Sequence, residues 1–334
     1  MSTTTNEPPE APERSVPPAR EVSALKTRGD RVFHGLASSA GSFTLILLVL
    51  IGTFLLIKAL PALKDSGFKF FTTQVWQPPP RGHAYGVAAL AYWTVMIAVI
   101  ALIIAVPVSI AAALFISDFA PRWVKGPLTS LIDLLAAVPS LIYGMWGAVF
   151  LRPRMVGISS FLSRHLGFIP FFKATDSAPI FGPSAFVAGV VVSLMVVPIC
   201  TSIMREVFSQ VPPGEKEGAL ALGGTRWGMI RAVVLPFGRG GIIGGAMLGL
   251  GRALGETIAI LLIISPLFVV RSNVLEQGAN SIAAHIANLF GESSGIALSA
   301  LMAAGLVLFF MTLVVNTIAA SIIARSRSGA GVEI

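Results

Sequence analysis

Six stretches of this chain are apolar over about twenty residues or more, and this feature constrains the fold more than any other. A helix crossing the ~30 Å hydrocarbon core of a bilayer needs about 20 apolar residues. Because backbone groups in lipid must be satisfied within the segment, such stretches predict transmembrane helices. The predicted spans are 42–60, 92–116, 127–151, 183–204, 241–270 and 295–324. The predicted fold class is an all-α polytopic membrane protein with six transmembrane helices.

The composition agrees with lipid as the solvent. The 334 residues are 54% hydrophobic and only 12% charged, whereas an average soluble domain is about 25% charged. The net charge of +8 would suggest nucleic-acid binding in a soluble protein, but in a membrane protein it indicates basic cytoplasmic loops. The single cysteine, Cys200, and the four scattered histidines predict neither a disulfide nor a metal site. No P-loop sequence occurs, so we do not expect this chain to bind ATP.

The distribution of basic residues predicts the orientation. Residues 1–30 are rich in Pro, Glu, Thr and Arg and nearly lack large apolar residues, which predicts a disordered tail ahead of a transmembrane domain at 31–328. With the tail inside, the inner segments hold fourteen Lys and Arg residues and the outer segments nine. This bias favours cytoplasmic N- and C-termini, as does an even number of spans.

A polar loop at 205–240, between the fourth and fifth predicted spans, carries the most informative pattern. The prolines at 212–213 cannot continue the fourth span, and the carboxylates that follow favour a helix N-terminus. The glycines at 223–224 end this helix, and Thr225 can cap a second helix. The residues therefore predict two short helices under the membrane. Such a hairpin either merely connects two spans or forms an interaction surface.

The spacing within this loop resembles that of ABC importer permeases. Their pattern is E-A-A, three residues, G, nine residues and I-x-L-P. Here Glu217-Gly218-Ala219 is followed after three residues by Gly223 and after nine more by VVLP, with Gly218 in place of the first Ala and Val233 in place of Ile. The resemblance implies that this loop docks on a separate ATPase subunit. The residues it assigns to coupling are Glu217, Gly218, Ala219, Gly223, Leu235 and Pro236.

Further segments, including LLAAVPSLIYGMWGAVF and GGAMLGLGRALGETIAI, resemble the phosphate-specific permeases over roughly 35–325, and the PstC type more than the PstA type. The resemblance implies a type I ABC importer permease fold in the bacterial cytoplasmic membrane. It also implies a non-catalytic subunit without a cofactor that transports inorganic phosphate. The implied partners are a second permease of PstA type, an ATP-binding ATPase dimer of PstB type and an extracytoplasmic phosphate-binding protein of PstS type.

Two charged residues, Arg252 and Glu256, lie within the fifth predicted span. An Arg at mid-membrane costs at least about 2.5–3.5 kcal/mol, so its presence needs a reason. Glu256 is four residues on, on the same helix face, and can pair with Arg252. Either the pair holds helices in register, or it lines an anion pathway, since a guanidinium forks two hydrogen bonds onto phosphate oxygens. In the resembling family an Arg and a Glu in this segment are tied to transport.

Several alternatives stay open on sequence alone. The cargo could be another oxyanion or a small organic solute, and a self-contained secondary transporter would leave the loop motif without a role. An intramembrane enzyme would need a second catalytic group at membrane depth. The glycines of the fifth predicted span favour close helix packing over a role in motion. We expect kinks at Pro107, Pro139 and Pro198, and a solvated or capped carboxylate at Asp133.

Overall fold

The computed structural model describes residues 28–77, 82, 84–174 and 179–327. Most of the predicted tail, up to residue 27, lies outside the described residues, and the first helix already begins at Arg28. In chain order the helices are α1 (Arg28–Ser66), α2 (Lys69–Thr72), α3 (Ala88–Leu114), α4 (Arg122–Ala137), α5 (Ser140–Trp146), α6 (Arg152–His165), α7 (Ala185–Ser209), α8 (Pro213–Ala221), α9 (Arg226–Met229), α10 (Leu235–Phe237), α11 (Arg239–Gly255), α12 (Ile258–Ile263), α13 (Ile282–Leu289) and α14 (Gly295–Arg327).

Short π-helical segments and one small sheet complete the described structure. The π-helical segments are Phe115–Phe119, Gly147–Leu151 and Ile230–Val234. Strands β1 (Trp76–Gln77) and β2 (Ala84–Tyr85) pair antiparallel, with Trp76 opposite Tyr85. The chain divides into two compact units, Met1–Ile51 and Gly52–Ile334, at a point within α1.

The described residues contain four helices that are long and apolar enough to cross a membrane: Gly29–Ser66, Ala88–Phe119, Ala185–Ser209 and Gly295–Ile322. Two bent helix pairs also pass this test, Arg122–Ala137 with Ser140–His165 and Arg226–Phe237 with Arg239–Gly255. Counting each bent pair as one span gives six, which agrees with the predicted all-α polytopic fold.

The third predicted span, 127–151, is not one straight helix. Helix α4 ends at Ala137, and the following helical segment, Ser140–His165, is bent from it by 88°. Val138 is extended (ψ 127°), as expected for a residue before a proline, and Pro139 has no N–H to continue the helical hydrogen bonds. The kink expected at Pro139 is thus a break, whereas Pro107 and Pro198 lie inside α3 and α7.

The fifth predicted span, 241–270, is wrong as a continuous helix. Helix α11 ends at Gly255, α12 ends at Ile263, and the following residues up to Ser281 are not helical. Helix formation stops at 264–266 because Ile264 is extended (ψ 156°) and Pro266 cannot donate a backbone hydrogen bond. Apolar composition alone did not distinguish a broken segment from a continuous one.

Helices α3, α7 and α11 form the core of the larger unit. The most extensive helix contact joins α3 and α7, where Trp93, Ile97 and Val191 are buried. Gly241, Gly245 and Gly249, spaced four apart on α11, face α7. A Cβ at Gly241 would lie 2.6 Å from Val207, and one at Gly249 would lie 2.7 Å from Val196. These contacts agree with the packing role predicted for the glycines of this helix.

Candidate functional site

The helix break after α11 forms one side of the candidate site. Glu256 adopts an extended conformation (φ −67°, ψ 129°) immediately after the last residue of α11. Its carboxylate Oε1 accepts a hydrogen bond from the backbone N–H of Ala259 (3.3 Å), in the first turn of α12. The Glu256 residue is only 6% exposed. Non-helical backbone at membrane depth is tolerated where it is buried in protein or lines a water-filled cavity.

A cavity of about 570 Å³ adjoins this break. Four segments line it: the second half of α11, the break that follows it, the middle of α14 and, through Ile199, α7. The polar and small lining residues are Gly251, Arg252, Gly255, Glu256, Thr312 and Asn316. Arg252 is exposed in the isolated chain. The two predicted pathway residues therefore share one cavity.

The expected ion pair between Arg252 and Glu256 is absent from the described part of the chain. The prediction assumed a continuous helix, in which residues four apart lie on one face. Because α11 ends at Gly255, Glu256 leaves that face and its carboxylate binds the N-terminus of α12 instead. The two side chains contribute opposite charges to the cavity without forming the predicted pair.

Sequence reasoning missed the two polar residues of α14, Thr312 and Asn316. They lie four residues apart, so they share a helix face. Gly251 of α11 approaches them closely, since a Cβ at this position would lie 3.5 Å from Asn316 Oδ1. The available signal was an Asn within an apolar span, because polar residues at membrane depth mark functional positions.

The loop that carries the predicted coupling residues folds as two short helices, as expected. Helix α8 contains Glu217, Gly218 and Ala219 and has no buried residue. Its end is a Schellman motif, in which Gly224 N donates to Ala219 O (3.3 Å) and Gly223 N donates to Leu220 O (3.0 Å). Gly223 has φ +84°, a conformation that favours glycine.

The second half of this loop is a capped helix, as predicted. Thr225 Oγ1 accepts a hydrogen bond from Gly228 N (3.1 Å) at the start of α9. A π-helical segment leads from there to α10, which begins with Leu235 and Pro236. Leu222, between α8 and α9, is 91% exposed, and Trp227 is also exposed. Apolar side chains exposed together on a loop are typical of an interaction surface.

An ion pair connects α8 to the π-helical end of the second span. Lys216 Nζ lies 2.6 Å from Asp118 Oδ1, and the Asp118 side chain is only 8% exposed. Ser117 Oγ donates to the second oxygen of Asp118 (2.6 Å), and Lys125 Nζ donates to Ser117 O. This network attaches an otherwise exposed helix to a transmembrane segment.

Asp133 is exposed and accepts a hydrogen bond from Ser202 Oγ (3.1 Å). This agrees with the solvated or capped carboxylate that the sequence predicts, and Asp133 does not line the Arg252 cavity. No group of three or more His, Cys, Asp or Glu residues that could hold a metal ion occurs among the residues that the structure describes.

Comparison with known proteins identifies the family. Residues 105–328 match the family described as binding-protein-dependent transport system inner membrane component. The chain is 42% identical over 304 residues to the phosphate transport system permease protein PstC 2 of Mycobacterium tuberculosis, covering 90% of this chain and 94% of that protein. It is 41% identical over 314 residues to PstC of Xylella fastidiosa, covering 94% and 95% of the two chains.

A solved structure supports the fold. A bacterial ABC transporter involved in the import of the acidic polysaccharide alginate contains a chain that is 20% identical, with a TM-score of 0.55. The alignment covers 88% of this chain and 99% of that one. This likeness concerns the fold alone. The chain belongs to the family of binding-protein-dependent transport system inner membrane components, in the PstC group of permease proteins.

Proposed function

We propose that this chain is the PstC-type permease subunit of an ATP-driven importer of inorganic phosphate, and that the cavity at Arg252 and Glu256 is part of the phosphate pathway. One observation carries the proposal: an arginine and a buried carboxylate share a cavity at a helix break within a transmembrane unit. The names of relatives at 41–42% identity support phosphate as the cargo.

The chemistry of the cavity suits a small oxyanion that carries a proton. The guanidinium of Arg252 can donate two parallel hydrogen bonds to one tetrahedral anion. The Glu256 carboxylate can only accept, so it favours a ligand with an O–H group, as hydrogen phosphate has and sulfate lacks at neutral pH. Thr312 and Asn316 add neutral hydrogen-bonding groups to the same cavity.

Opposite charges at one site also limit how tightly the anion is held. A lone arginine in a low-dielectric cavity would bind an anion strongly and release it slowly, whereas conduction needs binding weak enough to allow exit. The buried Glu256 lowers the net positive potential that a bound anion meets. The hydrogen bond that the Glu256 carboxylate accepts from Ala259 N holds this carboxylate at the helix break beside the cavity.

The loop at 205–240 and the resemblance to PstC permeases support the proposed partners. Its exposed helix α8, with Glu217 and Ala219, and the adjacent apolar Leu222 and Trp227 suit a docking surface for an ATPase subunit that binds and hydrolyses ATP. In this arrangement the loop and both termini face the cytoplasm. A PstA-type permease completes the pathway, and a PstS-type protein delivers phosphate from outside. The permease itself performs no chemistry.

The decisive experiment is phosphate uptake by cells in which Arg252→Gln replaces the wild-type chain. We expect a loss of uptake of about 100-fold, because charge-assisted hydrogen bonds to the anion contribute roughly 1.5–3 kcal/mol each. Complex assembly and ATP hydrolysis should be retained. Arg164→Gln is the matched control, since Arg164 is exposed on α6 and lies outside the cavity.

Each outcome separates two hypotheses. Failure of Arg252→Gln to assemble, with Arg164→Gln intact, would assign Arg252 a structural role. Unchanged uptake in Arg252→Gln would refute the proposal that phosphate passes through the cavity at Arg252 and Glu256. Uptake of sulfate or an organic solute in place of phosphate would indicate a different cargo on the same scaffold, and uptake without ATP would indicate a secondary transporter.

A further inference from the structure

A second charged cavity lies near the start of α3, where Tyr92 contacts Arg271, whereas the 205–240 loop contacts Asp118, beyond the other end of α3. It has a volume of about 290 Å³. Since a water molecule occupies ~30 Å³, this volume accommodates one small oxyanion with several waters. Its polar lining residues are Ser265, Arg271, Glu276 and Gln277. None of these residues lies in the sequence segments that carry the family resemblance.

The two charged residues of this cavity differ in their access to a solute. Arg271 Nη1 lies 3.7 Å from Glu276 Oε2, and the side chains are 31% and 3% exposed, respectively. Charge-assisted hydrogen bonds of good geometry measure about 2.7–2.9 Å, so this pair is an ionic contact rather than a hydrogen bond. A solute in the cavity therefore meets a partly exposed arginine side chain, with a buried carboxylate behind it.

Neutral groups complete this hydrogen-bonding site. Gln277 Nε2 donates to Ser265 Oγ (3.3 Å), which leaves the Ser265 hydroxyl hydrogen available to donate to a ligand. The site thus combines a cationic donor, a hydroxyl donor and a carboxylate acceptor. This combination suits a tetrahedral oxyanion that retains a proton, and it disfavours sulfate and the phosphodiester of a lipid headgroup, neither of which can donate to Glu276.

The backbone around the cavity is held in place from several directions. Tyr92 Oη donates to Arg271 O (2.9 Å), and Trp93 Nε1 donates to Val269 O (2.9 Å), so α3 fixes the segment that bears the arginine. Gln277 N donates to Ile180 O (2.8 Å) on the opposite wall. A preorganised site loses less entropy when it binds a ligand, which favours a binding role over a loose surface contact.

A single turn orders the residues between Arg271 and Glu276. Asn273 Oδ1 accepts hydrogen bonds from Leu275 N (2.8 Å) and Glu276 N (3.3 Å), while its Nδ2 donates to Lys173 O (2.6 Å). Asn273 is itself buried. The turn therefore sets the position of the buried carboxylate relative to the arginine.

The chain connects the two cavities through one short helix. Glu256 precedes α12, and Ser265 follows it. At 1.5 Å per residue, the six residues of α12 measure about 9 Å. We propose that the Arg271–Glu276 cavity is a second oxyanion site, which receives phosphate on the outer side before it reaches Arg252. This inference rests on the proposed function and adds the first binding step to it.

Protection of an engineered cysteine tests the site directly. Cys200, the only cysteine in the sequence, is buried, so Ile180→Cys places one accessible thiol of this chain on the cavity wall. Labelling with N-ethylmaleimide, which is neutral, is followed by the mass of this subunit in the assembled importer. Saturating phosphate should slow the labelling about tenfold. Phe168→Cys, an exposed position outside the cavity, is the control and should not respond.

Variants of the charged residues define the specificity of protection. In the Ile180→Cys background, Arg271→Gln should raise the phosphate concentration for half-maximal protection about tenfold or more. Arg271→Lys keeps the charge but loses the two parallel N–H donors of the guanidinium. It should raise the phosphate concentration for half-maximal protection by a smaller factor. Sulfate and glycerophosphocholine, a soluble phosphodiester, should not protect. Protection by the phosphodiester in preference to phosphate would overturn the inference in favour of a lipid headgroup.

The same background separates this inference from the proposed function. Arg252→Gln should abolish uptake yet leave the protection of Ile180→Cys by phosphate intact. If phosphate gives no protection while uptake depends on Arg252, the second site is refuted and the proposed function stands. If phosphate protects the thiol while the wild-type complex imports none, the outer site stands and the proposed function is refuted.

Discussion

At the scale of single residues, Gly223 shows how one backbone conformation supports the loop. Its φ of +84° ends α8 in a Schellman motif. We expect Gly223→Ala to destabilise the end of α8 by about 1–2 kcal/mol, the cost of a left-handed conformation for a residue with a Cβ. Hydrogen exchange of the 214–225 amides in the assembled complex should then become faster.

Gly218→Ala is the matched control for this prediction. Gly218 lies inside α8 with no heavy atom near a Cβ position, and Ala stands there in the resembling family pattern. Alanine should stabilise the helix by roughly 0.5–1 kcal/mol, so exchange should become slower. Equal effects of the two substitutions would contradict the assigned role of Gly223.

His285 provides a residue whose charge state is set by burial outside the transmembrane segments. It is buried against Trp76 and Phe268, with ring centroids 4.5 and 5.2 Å away, and its Nδ1 lies 3.2 Å from Asn280 Nδ2. Within the described part of the chain, Nε2 has no hydrogen-bond partner. Desolvation lowers the pKa of His285 from 6.5 to about 4. The imidazole is therefore neutral at physiological pH.

This shift predicts a pH dependence of stability. The unfolded chain binds a proton at His285 below about pH 6.5, whereas the folded chain does not until about pH 4. The free energy of unfolding therefore decreases as the pH is lowered through that window. The loss between pH 8 and pH 5 should be about 2 kcal/mol. Unfolding temperatures of wild type and His285→Phe at both pH values test it. An identical fall in both proteins would contradict the assignment.

At the scale of elements, the Asp118–Lys216 pair joins the first helix of the 205–240 loop to the second span. Loss of either partner should let α8 move independently, so that ATP hydrolysis continues while less phosphate moves per ATP. We expect Asp118→Asn and Lys216→Met each to lower the number of phosphate ions transported per ATP several-fold. A double-mutant cycle on this number should give a coupling energy of about 1 kcal/mol or more between the two residues. Glu215→Gln, also on α8, is the control.

Restoration of the ion pair in reverse distinguishes coupling from general damage. The double variant Asp118→Lys with Lys216→Asp should recover part of the transport ratio if the pair itself matters. Additive losses in the double variant, or an equal loss in Glu215→Gln, would show that the ion pair does not link the loop to the span.

The elements also show what the sequence could and could not predict. Apolar length located the membrane segments, and turn chemistry at Gly223 and Thr225 predicted the helical hairpin correctly, because both signals are local. The sequence predicts a kink at Pro139 and a continuous helix through Gly255, whereas the helix breaks at both places. Proline and glycine occur inside continuous transmembrane helices as well, as Pro107 and Pro198 do here, so composition does not decide between a kink and a break.

The candidate site was predicted only in part for the same reason. Arg252 and Glu256 were found because charges at membrane depth are costly. The prediction of an ion pair between them was wrong because it assumed a continuous helix, whereas α11 ends at Gly255, one residue before Glu256. Thr312 and Asn316 reach the cavity through tertiary packing of α14 near α11, which a single sequence does not encode as a local pattern.

At the scale of the whole molecule, the chain exposes extensive apolar surface that lipid or other subunits must cover. Large apolar side chains are exposed along α1 and on α4 to α6, and the Arg252 cavity borders α14. Six predicted crossings, counted with both bent pairs, agree with one permease half of an importer. Function therefore belongs to an assembly of this chain with other subunits.

The most direct test is the number of phosphate ions imported per ATP hydrolysed by the reconstituted complex, with wild type, Arg252→Gln and Arg164→Gln side by side. We expect ATP-dependent phosphate uptake by the wild type and the Arg164→Gln control. Arg252→Gln should still hydrolyse ATP but import almost no phosphate. An unchanged ratio for Arg252→Gln would contradict the claim that phosphate passes through the cavity at Arg252 and Glu256.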